Sequence, residues 1–217
     1  MKAKKENKAI EKLNAKTIEG NKAFAKMGKM QKRVAIAKDV IASINSKKFK
    51  ATPGTYCQLK LNEKHEFEKE GKVELQTLME TGVVEKCDVC AIGGIFASKV
   101  AIGNKFKVDI QAEDYWSDSQ FVIETDTDDD ELLIENLKGI YNEEELRLIE
   151  YAFEGEDIGF RHNDESDEFH KKALSYYKVY KKADERLIAI MQNIIRNEGK
   201  FIPEFLKKDS NKSVNKK

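Results

Sequence analysis

Proline is almost missing from this chain: there are two in 217 residues, Pro53 and Pro203. Most of the sequence is therefore free to form regular elements, and with 40% hydrophobic residues it can bury a core. Cysteine is scarce as well. Three thiols, Cys57, Cys87 and Cys90, are an odd number and make no disulfide framework; with no export signal they read as reduced thiols of a cytosolic protein. No stretch approaches the roughly 18 consecutive apolar residues of a membrane helix, so no membrane association is expected. The Lys-rich start is not followed by an apolar core and does not read as a signal peptide. Walker loops, Gly-rich dinucleotide fingerprints and G-x-S-x-G elbows are all missing, so no enzyme class is indicated.

Charge, by contrast, is abundant. The charged fraction of 36% exceeds the roughly 25% of an average soluble domain. The formal net charge of zero hides a segregation along the chain. Residues 1–108 carry 23 Lys and Arg against 12 Asp and Glu, a net +11; residues 109–170 carry 3 against 22, a net −19; residues 171–217 carry 13 against 5, a net +8. Basic ends around an acidic middle can neutralise each other within one fold or between subunits of a homo-oligomer, or they can face two different partners.

Hydrophobic spacing predicts a mainly α fold: one compact helical domain over 31–206 with at most a few short strands, a basic N-terminal arm over 1–30, and a disordered basic tail over 207–217. In 32–46, Val34, Ala37, Ile41 and Ile44 recur at spacings of three and four. Pro53-Gly54 breaks the chain, and 55–61 alternates as a short strand. Val73, Leu75, Leu78 and Met79 suit a helix stopping near Gly82. From Cys87 to Ile102 only Asp88 and Lys99 are charged, which reads as a central helix, and Gly93 with Gly94 inside it suggests close backbone approach. Residues 106–111 alternate like a strand. Asn142 followed by three Glu is a helix start, ended by Gly155. One or two further helices occupy 169–197 and stop at Gly199 and Pro203.

Three clusters carry chemistry. Cys87-x-x-Cys90 has zinc-knuckle spacing, and Cys57 with His65 would complete four ligands. Cys57 and His65 make a poor second knuckle, so buried thiols are the commoner reading and no cofactor is expected beyond this zinc option. Asp126, Asp128 and Asp130 alternate as in a calcium loop, but its sixth and twelfth positions hold Glu131 and Leu137 where Gly and Glu are needed. His162, Asp164, Asp167 and His170 could bind a divalent metal or move protons, yet they stand in the most polar stretch of the chain. The acidic residues Asp126, Asp128, Asp129, Asp130, Glu131, Glu143 and Glu144 are candidates for a partner-binding surface, and the Lys-rich ends for non-specific nucleic-acid contact.

The segment CDVCAIGGIFASKV (87–100) resembles that of a group of tailed-bacteriophage proteins with no established activity. They share a helix like RVAIAKDVIASI (33–44), a Gly54-Thr55-Tyr56 segment, a stretch like LIEYAFE (148–154) and one like IMQNIIRN (190–197), so the likeness spans roughly 33–203. The resemblance implies a phage origin and one continuous domain, and assigns no catalytic residue. The expectation is a non-enzymatic phage accessory protein of the infected host cytoplasm that binds a host or phage macromolecule, with the countering of host defence as one role for it. A metal-dependent hydrolase or small-molecule binder, using the thiols or the His162–His170 cluster, and a non-specific nucleic-acid binder are the alternatives.

Overall fold

The computed structural model describes residues 22–61, 72–74, 84–103, 107–109, 120–122, 134, 136–155 and 168–206. The fold is mainly helical, as the periodicity predicts. Helix α1 is Lys29–Asn45; the Gly28 amide at its entry donates to the Gln31 Oε1 at 3.0 Å, and Ile36, Ala37, Val40 and Ile44 form its buried face. The fold begins before residue 31: a short helical turn over 22–26 buries Phe24 against the end of the second long helix.

A four-stranded sheet follows, built from β1 (Phe49–Ala51), β2 (Cys57–Leu61), β4 (Val84–Val89) and β6 (Gln120–Val122), in the order β1-β4-β2-β6. β4 pairs parallel with β1 and antiparallel with β2, so it is a central strand. The strands β3 (Lys72–Glu74) and β5 (Lys107–Asp109) form a separate antiparallel pair. Val73 thus lies on a strand, not on the helix its spacing suggests.

The apolar run beginning at Cys87 is not one helix. The chain stays extended through Val89, turns at Cys90, and forms helix α2 only over Ala91–Gly103. Lys86 is partly buried and Cys87, Asp88 and Val89 are fully so. A strand covered on both faces loses its alternation and reads as a continuous apolar run. The Gly93–Gly94 pair therefore stands just after a strand, in the first turn of α2. A side chain at Gly93 would overlap the Tyr56 carbonyl, so the turn before β2 can lie on α2 only because that position is bare. At Gly94 a Cβ would make ordinary contacts, the nearest 3.5 Å from Val89 Cγ2.

The C-terminal half adds α3 (Glu143–Glu154), α4 (Glu168–Val179) and α5 (Ala183–Arg196). Asn142 caps α3, its side chain accepting from the Glu145 amide at 2.7 Å, with three Glu in the first turn complementing the helix dipole. α5 packs along α1, α3 along α4, and α2 lies among α1, α3 and the sheet, buried along nearly its whole length. The core joins Ile36 and Val40 of α1, Phe49 and Leu59 of the sheet, Ile92, Ile95 and Phe96 of α2, Ile149 and Phe153 of α3, and Leu187, Ile190 and Ile194 of α5.

α5 ends where Gly199 suggests. The Gly199 amide donates to Ile194 O at 2.8 Å and the Glu198 amide to Ile195 O at 3.2 Å, the two bonds of a Schellman motif, with Glu198 (φ 54) and Gly199 (φ 100) left-handed. The chain then runs without regular secondary structure over 200–206 and is pinned by side chains. Asn193 donates to Ile202 O at 2.8 Å and accepts from the Ile202 amide at 2.9 Å; the Ser175 hydroxyl donates to Glu204 O and accepts from the Leu206 amide. Among the described residues no helix is long and apolar enough to cross a membrane.

Candidate functional site: two cavities at opposite ends of one helix

The three thiols divide. Cys57 and Cys87 stand diagonally across β2 and β4, both buried, with sulfurs 3.3 Å apart. Hydrogen bonding to Cys57, followed by burial, pushes the Cys87 thiol well above its ordinary range, so it is held protonated. The Cys90 sulfur instead faces the first turn of α2 and accepts from the Gly93 amide at 3.3 Å. Two backbone donors at a helix start favour a thiolate. Burial outweighs them, the charges of Glu150 and Glu154 act in the same sense as burial, and the Cys90 thiol too is pushed far up. The C-x-x-C pair therefore splits between two environments, and neither sulfur is an activated nucleophile. Among the described residues no group of three His, Cys, Asp or Glu could hold a metal ion. His65, His162, Asp164, Asp167, Asp126, Asp128, Asp129, Asp130 and Glu131 lie outside the described residues.

A cavity of about 500 Å³ opens at the N-terminal end of α5. Cys90, the Pro53–Tyr56 turn, Glu150 and Glu154 of α3, Tyr177 of α4, and Lys181 and Arg186 line it. The β4-to-α2 turn supplies one wall and the last turns of α3 another. Glu154 anchors the opposite rim, both its carboxylate oxygens accepting from the Gly54 amide at 3.1 Å. Burial raises the Glu154 pKa above its ordinary value, against the downward pull of that amide and of Arg186. Arg186 is only 4% exposed, its guanidinium 4.5 Å from the Tyr177 ring centroid and 5.1 Å from that of Phe153.

A second groove, of about 520 Å³, lies beyond the other end of α5. Its walls are the starts of α1 (Lys29, Met30), α3 (Asn142, Glu144, Glu145) and α4 (Phe169, His170), with Lys200–Ile202 of the C-terminal segment. The large hydrophobic side chains exposed among the described residues are Met30, Phe169 (50%), Ile202 and Phe205 (58%). Three of them line this groove, and Lys172 ties in the fourth, its ammonium 5.9 Å from the Phe169 ring centre and 5.6 Å from that of Phe205. One apolar patch with a charged rim results.

The groove brings together two residues that the sequence singles out for different reasons, Glu144 and His170; the His170 ring meets Tyr151 edge-on at 5.6 Å. Glu143 points elsewhere, ion-paired with Arg147 one turn on. Sequence reasoning passes over Met30, Phe169, Ile202 and Phe205. No periodicity or motif in the sequence marks them out. Arg186 and Lys181 are missed as well, since a cation next to a helix start looks like a solvated one. No protein-family model, no curated protein and no solved structure matches this chain.

Proposed function

We propose that this is a non-enzymatic binding protein, of the kind tailed phages carry, that docks a protein partner in the host cytoplasm through the Met30–Phe169–Ile202 groove. The observation that carries the reading is the gathering of the exposed large hydrophobic side chains at one groove. Contiguous apolar surface with a polar rim is what partner sites have, whereas isolated exposed apolar residues are common and mean little. The occupant is a short apolar segment of another protein, with a carboxylate placed for Lys29 and Lys200 and a cation for Glu144, since these three charged side chains ring the apolar floor.

The test is capture of partners from nuclease-treated host lysate by wild type, Phe169→Asp and Lys182→Ala. Phe169 and Lys182 are both exposed, so both variants keep the core. A protein held by wild type and Lys182→Ala but lost from Phe169→Asp supports the reading. Equal capture by all three, or recovery of nucleic acid alone, sinks it.

A further inference from the structure

Arg186 is a buried cation that feels the charge of Glu154 but makes no direct ion pair with it. Arg33, the other buried arginine, donates to the Ile140 carbonyl, the Gly199 carbonyl and Glu145. The Arg186 guanidinium makes no hydrogen bond and no ion pair among the described residues, and its Nε is both sealed from solvent and unpartnered. Glu154, the carboxylate whose charge acts on Arg186, directs both its oxygens to the Gly54 amide. A guanidinium does not shed its proton to escape burial, and an ionised group taken from water without partners is among the costliest things a fold can contain. Two aromatic rings flank the group, and it lines the cavity.

The rest of the cavity narrows the ligand. The start of α2 opens on it at Cys90, adding the positive end of a thirteen-residue helix, and Lys181 stands exposed at the lining. Glu150 and Glu154 oppose these charges, so a dianion such as phosphate meets more repulsion than a group with one charge. Tyr56, Tyr177 and Pro53 offer apolar surface, and about 500 Å³ is room for a small organic molecule. We propose that the cavity binds a small organic carboxylate, its single carboxylate held by Arg186 and its apolar body against Tyr56 and Tyr177. This site is separate from the groove at the other end of α5 and stands or falls without it.

The probes are benzoate and acetate, with phosphate and chloride as comparisons at matched ionic strength, added to the full chain. Melting temperature and ligand-observed NMR are read up to about 50 mM, which covers dissociation constants into the millimolar range. Benzoate is expected to raise the melting temperature saturably and more than acetate, and chloride to have no effect. Arg186→Lys is expected to weaken benzoate binding about tenfold, because the ammonium keeps the charge but loses the fork. Lys181→Ala, an exposed change that leaves the core alone, is expected to weaken it about two- to threefold. Silence from both carboxylates, a response stronger to phosphate than to benzoate, or equal binding by wild type and Arg186→Lys overturns the proposal.

Discussion

Arg33 of α1 and Glu145 of α3 meet across 112 positions of sequence as a doubly bonded ion pair, Nη1 to Oε1 at 2.7 Å and Nη2 to Oε2 at 2.5 Å. The same guanidinium donates through Nε to Ile140 O at 2.6 Å and through Nη1 to Gly199 O at 3.1 Å, and lies 4.6 Å from the Tyr141 ring centre. One side chain thus ties the first helix to the turn before α3, to α3 itself and to the Schellman turn after α5. Together with the start of α4, these elements form the groove.

Arg33→Met should therefore leave a partly buried carboxylate and two carbonyls without a donor. Breaking such a pair from one side costs about 3 kcal/mol. Urea unfolding is expected to show a fall of that order, against a much smaller one for Lys172→Met in the exposed pair with Glu168.

The two adjacent glycines are expected to respond in opposite senses. Gly93→Ala drives a methyl into the Tyr56 backbone and should cost about 2–3 kcal/mol or prevent folding. Gly94→Ala meets ordinary contacts and should gain up to about 1 kcal/mol of helix propensity. Melting temperatures of the two variants decide it; equal effects would mean that the Tyr56 turn does not lie on α2.

Much of this architecture is legible in the sequence, and the illegible parts have physical reasons. Asn142 with its three glutamates announces α3, and Gly199 announces the end of α5, because caps are local chemistry. The strand at Val84–Val89 is hidden because its buried half does not alternate. Phe24 reads as part of a basic arm because one aromatic among lysines has no periodicity to betray it; only the space at Gly103 shows where it goes. Both cavities escape notice for a different reason. Each is assembled from helix ends and turns far apart in sequence, and no spacing rule brings Met30 to Ile202 or Cys90 to Arg186.

The thiols should be inert in the folded protein. Cys57, Cys87 and Cys90 are buried, and the Cys87 and Cys90 thiols are held protonated. Iodoacetamide at pH 8 is expected to leave the native chain unmodified and to add three groups after unfolding in urea, read by intact mass. Rapid single labelling of the native protein at Cys90 would contradict the burial described at the cavity wall.

Glu154 gives the stability a pH signature. Its pKa is raised by burial above the ordinary 4.5, so the native state holds the proton more tightly than the unfolded chain. The associated stability is fully present below 4.5 and is lost as pH rises through the raised value. Glu154→Gln, which keeps an acceptor for the Gly54 amide, should remove this loss. Its unfolding free energy is expected to gain on wild type from pH 4.5 upward and then run parallel; a constant offset at all pH values would show that Glu154 is not the group responsible.

Asn193 holds the segment that carries Ile202 into the groove. Asn193→Ala removes both bonds to Ile202 and the contact with the Tyr176 hydroxyl at 2.9 Å. Faster hydrogen exchange at the Ile202 amide, with the α1 amides unchanged, is the expected result. Partner capture should weaken with it, since the groove loses one wall.

The most direct test of the docking account is photo-crosslinking in the cells that express the protein, with benzoylphenylalanine placed at Phe169 in one variant and at Lys182 in another. Phe169 lines the groove, whereas Lys182 caps the far end of α5 and does not. A single protein adduct of defined mass from position 169, and none from position 182, is the expected result. The same adducts from both positions, or none from 169, would contradict the groove as the place where this protein meets its partner.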